Sequence, residues 1–77
     1  MGKTFAVDAF WDPEAEVWVA TSEDVPGLAT EASEVEALTA KLHVMIPEML
    51  EANDVEHRGP IRFELVTRQE EQIRLAS

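Results

Sequence analysis

The sequence predicts an α+β fold: a two-layer sandwich of element order β-β-β-α-β, in which one helix covers one face of a four-stranded sheet. Three observations predict it. Apolar residues alternate with period two at 4–11 and again at 17–22, on either side of Asp12-Pro13-Glu14. A single apolar stripe of helical period runs from Ser33 to about Ala52. A last alternation begins at Ile61.

The first strand, TFAVDAFW, sends Phe5, Val7, Ala9 and Trp11 to one face and Ala6, Asp8 and Phe10 to the other. Asp12-Pro13-Glu14 ends it, because proline pre-sets a turn dihedral and aspartate bonds its own backbone nearby. Val17 to Ser22 is rich in β-branched and aromatic residues and reads as the second arm of a hairpin. Trp11 and Trp18 bracket the turn. Core packing accounts for one of them; the other, if it lies on the face away from the helix, is an exposed aromatic suited to an interface.

Val25-Pro26-Gly27-Leu28 carries proline and then glycine where a type II turn needs them, so it reverses the chain into a short third strand, Leu28 to Glu31. Ser33-Glu34-Val35-Glu36 matches a capping box. Val35, Leu38, Leu42, Met45, Ile46, Met49 and Leu50 then recur at spacings of three and four, the methionines as core filler. Pro47 cannot donate to the carbonyl of His43, which predicts a kink or a new helix start there. Residues 53–60 read as a loop. Ile61, Phe63 and Leu65 mark a fourth strand, and Ile73 and Leu75 either extend it or belong to a tail. The helix returns the chain, so the fourth strand runs parallel to the first and beside it. The sheet order is then 3-2-1-4, with both outer strands open to pairing.

At 77 residues without cysteine, this is one small domain with a thin core. No apolar run approaches a membrane span, and no apolar signal segment follows Lys3. These features predict a cytoplasmic protein. Sixteen acids against six bases give a net charge of −10. Nine of the acids and no base fall between Thr4 and Ala40, whereas from Gly59 onward three arginines balance three glutamates. Such a body repels phosphate backbones and attracts basic proteins, so no direct nucleic-acid binding is expected.

Trp11-Asp12-Pro13-Glu14, Val17-Trp18-Val19-Ala20, Val25-Pro26-Gly27-Leu28 and the helix opening at Ser33 occur together and in order. In this the chain resembles the HicB-like superfamily, and the wording of 11–32 is similar to an uncharacterised branch of it. The resemblance spans about residues 4–52. It implies a truncated RNase H-like core over 1–67, with 68–77 as a strand extension or C-terminal tail. It also implies the role of an antitoxin that blocks a small basic RNA-cleaving toxin of the HicA-like kind. The chain departs from the pattern in one respect: about ten residues after the last strand are too few for the DNA-binding domain that such antitoxins carry.

The RNase H likeness raises metal-dependent nuclease chemistry, with Asp8 in the first strand and Asp12 or Glu36 nearby, but no convincing third or fourth ligand follows. His43 and His57 lack partners at metal-site spacing. No serine sits in a triad context. The sequence therefore points to a non-enzymatic interaction module without cofactor or metal. Its expected partner-binding residues are Asp8, Trp11, Glu14, Glu16, Trp18, Glu23 and Asp24. A homo-oligomer, most simply a dimer, is also expected. The alternative function is a structural domain that self-associates through an edge strand and has no toxin partner.

Overall fold

The computed structural model describes residues 3–57 and 59–76. Strands β1 (Thr4–Asp12), β2 (Val17–Thr21) and β3 (Ala29–Ala32) precede helix α1 (Val35–Ala52) and strand β4 (Arg62–Arg68). The sheet order is β3-β2-β1-β4. β2 lies antiparallel to β1 and β3, and β4 lies parallel to β1. This is the α+β two-layer arrangement expected from the residue pattern.

The core forms where the two periodicities meet. Phe5, Val7 and Ala9 of β1, Ala20 of β2 and Ala32 of β3 face Leu38, Leu42, Ile46 and Leu50 of α1, and all are buried. Trp18, Met45, Met49, Val55, Ile61, Phe63 and Leu65 complete it from the rim. The Val25-Pro26-Gly27-Leu28 turn closes the lower edge. The Leu28 amide donates to the Val25 carbonyl at 3.2 Å, and Gly27 has φ +77°, as a type II turn requires. Both ends of the turn, Val25 and Leu28, are buried. The third strand accordingly begins at Ala29 rather than Leu28. The Asn53 side-chain amide ties the turn to the helix end, donating to the Pro26 carbonyl at 3.3 Å and the Met49 carbonyl at 2.8 Å.

The helix ends at Ala52 as expected, but its start differs from the sequence expectation. The capping box at Ser33 does not form. Glu34 is the N-cap in an extended conformation, with no side-chain cap bond. The first helical bond runs from the Leu38 amide to the Glu34 carbonyl at 3.0 Å. The chain bends at Ser33 and Glu34 in leaving buried Ala32 at the sheet edge, so the helix starts one residue later than a Ser33 cap needs. Pro47 does not restart the helix, which runs through it as one 18-residue element. Burial of Leu42, Ile46 and Leu50 on both sides of it holds the helical path.

The C-terminus of α1 is a Schellman motif. The Val55 amide donates to the Leu50 carbonyl at 2.9 Å and the Asp54 amide to the Glu51 carbonyl at 3.2 Å. Asp54 holds φ +53°, where glycine is usual, and Val55 packs back onto the core. Replacing Asp54 with glycine relieves this left-handed strain, partly offset by glycine's greater unfolded-state freedom. Asp54→Gly is therefore expected to raise stability by about 0.5 kcal/mol, a rise of roughly 2–4 °C in Tm readable by thermal melting.

Candidate functional site

The β1–β2 turn is built by Asp12. Its carboxylate accepts the Glu14 and Ala15 amides at 3.0 and 3.3 Å, and its carbonyl accepts the Glu16 amide at 2.8 Å. Glu16 closes the turn at φ +57°. The Asp12↔Val17 closing pair sets the hairpin register, and that register places Trp11 directly opposite Trp18. The two rings meet edge to face with centroids 5.5 Å apart. Both side chains therefore stand on the helix side of the sheet, half-buried. Neither is an aromatic on the open face. That position belongs to Phe10, which is 48% exposed and lies between Val19 and Arg68 in the ladder.

The fold separates the seven expected partner-binding residues. Trp11, Trp18, Glu14 and Glu16 gather at the turn end of the sheet, with both glutamates exposed. Glu23 and Asp24 lie at the opposite end of β2. Asp8 is on the open face, where its carboxylate accepts the Arg68 guanidinium at 2.9 Å in a largely exposed ion pair.

Asp24 has a structural task. Its carboxylate accepts the Ala6 amide at 2.8 Å, and the Ser22 hydroxyl donates to the Ala6 carbonyl. The same hydroxyl accepts the Asp24 and Val25 amides at 3.0 and 3.1 Å. The β1–β2 ladder ends at Asp8↔Thr21, so these two side chains continue it by satisfying both backbone groups of Ala6. Lys3 stands 3.8 Å from the same carboxylate.

The sequence reading missed Glu70 and Glu71. Because β4 runs parallel to β1, the chain leaving Arg68 passes the far end of β1. Trp11, Pro13, Glu70, Glu71, Gln72 and Ile73 line an open groove there. The parallel order was the available signal, since it puts whatever follows the fourth strand beside the hairpin turn. Glu70 and Glu71 thus join Trp11 at the end of the sheet where the β1–β2 turn carries Glu14 and Glu16.

Among the described residues no group of three or more His, Cys, Asp or Glu side chains is placed to hold a metal. Asp8 and Glu36 lie on opposite sides of the sheet, and Asp8 faces a guanidinium. His43 packs edge to face on Phe63 at 5.4 Å. The geometry offers charge, an aromatic pair and an open groove. No helix among the described residues is long and apolar enough to cross a membrane.

The family model described as a domain of unknown function, DUF1902, matches residues 4–77. The chain is similar to the hypothetical protein TTHA1013 from the extremely thermophilic bacterium Thermus thermophilus, at 51% identity and a TM-score of 0.75. That match covers 95% of this chain and all of the other. No curated protein matches the chain significantly.

Proposed function

The chain belongs to the DUF1902 family, and from that premise we propose that it is a non-enzymatic interaction module for a basic protein. Supporting this reading most directly is the turn end of the sheet, where exposed Glu14 and Glu16 border the Trp11–Trp18 pair and the groove lined by Glu70 and Glu71. Carboxylates at a rim steer a basic partner and set its orientation, while half-buried aromatics supply apolar contact. The HicB-like resemblance gives this module a specific occupation: covering the surface that a small RNA-binding toxin offers to phosphates, in the cytoplasm. Asp8 and Asp24 then contribute mainly through the fold, being held by Arg68 and by the Ala6 backbone.

A pull-down from native extract with the full chain tests the reading, run beside the Glu14→Lys/Glu16→Lys variant. Both positions are exposed, so the variant keeps its fold. The expected result is a small basic RNA-binding protein retained at about 50 mM salt, where charges act over more than 10 Å, and released at about 500 mM. The charge-reversed variant fails to retain it, and the purified chain inhibits its RNA cleavage. A native chain that retains no basic protein, or retains one regardless of salt and charge reversal, removes the reading.

A further inference from the structure

The outer edge of β4 and the segment after it present a pattern that the folded chain leaves unused. The radius of gyration is 14.9 Å, against about 11–12 Å for a compact chain of this length. The longest extent is 57 Å. An 18-residue helix such as α1 accounts for about 27 Å of that length. Residues 69–76, if extended, account for roughly 26 Å more. They carry no strand or helix of their own, and Ile73 and Leu75 are 86% and 89% exposed. Carried past Arg68, the alternation of β4 puts Ile73 and Leu75 on the same face as Phe63 and Leu65, beyond the last residue of β1.

The two sheet edges are not equivalent. β3 is only four residues long, and Lys41 donates to its Glu31 carbonyl at 2.6 Å. A short edge with a lysine over it is a protected one. β4 pairs with β1 on one side, and among the described residues nothing pairs with its other side. Charge singles out the same edge. Residues 59–77 sum to zero, with three arginines and three glutamates, so the net −10 resides in the remainder. A second copy of this acidic chain is least repelled here.

The geometry points to a two-fold dimer in which β4 and residues 69–76 pair antiparallel with the same segment of a second copy, centred on Gln69. In that register Ile73 faces Leu65 and Leu75 faces Phe63 on the helix side, covering two rim residues that are only half-buried in one chain. On the other side Glu70 faces Arg68 and Arg74 faces Glu64. The two-fold doubles each pair, giving four opposite-charge pairs. Neighbouring face-preserving registers lose this match: one places Arg68 opposite Arg68, and the other places Glu70 opposite Glu70. Only face-preserving registers keep the apolar residues on one side. The result is a continuous eight-stranded sheet with both helices on one side. The interface uses the outer edge of β4 and residues 69–76, so it takes in Glu70 and Glu71 of the groove. It leaves Glu14 and Glu16 of the β1–β2 turn outside, and charge reversal at those two positions tests the basic-partner reading separately.

Analytical ultracentrifugation of the full chain tests the dimer, with twice the 8.6 kDa chain mass as the expected result. The chain has no cysteine, so single cysteines report the register. Gln69→Cys sits opposite itself and oxidises to a covalent dimer. Gln72→Cys lies roughly 20 Å from its counterpart and does not. Ile73→Asp/Leu75→Asp gives a monomer with an unchanged circular dichroism spectrum, since neither side chain is packed within one chain. Arg74→Glu weakens the dimer about tenfold, and Glu64→Arg added to it restores binding. A monomer at every concentration overturns the proposal. So does a dimer that cross-links equally at positions 69 and 72, or one indifferent to Ile73→Asp/Leu75→Asp.

Discussion

Leu42→Ala is expected to remove about 3–4 kcal/mol of stability, the largest loss of any single truncation on the helix. Leu42 is fully buried at the middle of α1, one turn from Leu38 and from Ile46, which are also buried. Its deletion loses transfer free energy and leaves a cavity between helix and sheet that neither element can close, each being pinned by its neighbours. A chain of this size has roughly 4–11 kcal/mol in total, so the variant sits near the threshold of folding. Its Tm should fall by about 15–20 °C. Leu42→Met, which conserves volume, should lose less than about 1.5 kcal/mol. Urea unfolding of the three proteins, at one fixed protein concentration because a dimer makes stability concentration-dependent, checks the pair. A loss below about 1 kcal/mol for Leu42→Ala would contradict the core as described.

Pro47→Ala has the opposite sign. An interior helical proline removes one backbone bond and crowds the preceding turn, at about 3 kcal/mol relative to alanine. Pro47 is exposed and lies within α1, so alanine restores a donor to the His43 carbonyl and gives up little packing. The expected gain is about 2 kcal/mol, or roughly 10 °C in Tm. The discount from the full amount reflects the contact that Pro47 keeps with the groove beside Ile61. Thermal melting with far-ultraviolet circular dichroism reads both the gain and any added helicity. A stability equal to or below that of the parent chain would mean that the ring's packing outweighs the missing bond.

These two residues also mark how far the sequence could be read. Leu42 belongs to a stripe whose spacing alone identifies a buried helical face, and the fold class followed from that stripe meeting three period-two runs. The position of the fourth strand beside the first followed from the return direction of the helix. Pro47 illustrates the limit. Local chemistry argues for a kink or a new helix start, and with Leu42, Ile46 and Leu50 buried on either side the helix does not restart, a tertiary effect that no local rule contains. The helix start erred for a related reason. Ser33 matches a cap by type, but the path from buried Ala32 decides which residue is first to turn.

The candidate site was legible in part. The acids of the first hairpin and the two tryptophans were visible as residue types. The face that the tryptophans share depended on the four-residue turn between Asp12 and Val17, which fixes Trp11 opposite Trp18. The sequence places Asp24 among the partner-binding acids, because a carboxylate that replaces a strand residue in a ladder leaves no periodic trace. Glu70 and Glu71 join the turn only through the parallel pairing of strands far apart in the chain.

That parallel pairing governs how the domain comes into being. Thr4 is matched with Arg62 and Phe10 with Arg68, so a central strand receives its second neighbour only once the chain through the helix and β4 has been made. Contacts of such long sequence separation slow folding, because the entropy of closing the intervening chain is lost before the ladder forms. A nascent chain interrupted before residue 62 would have β1 unpaired on one side, with Phe5 and Val7 poorly covered. The fold is thus completed only once β4 has been made, and a product truncated before it is a species prone to aggregation rather than a smaller working domain.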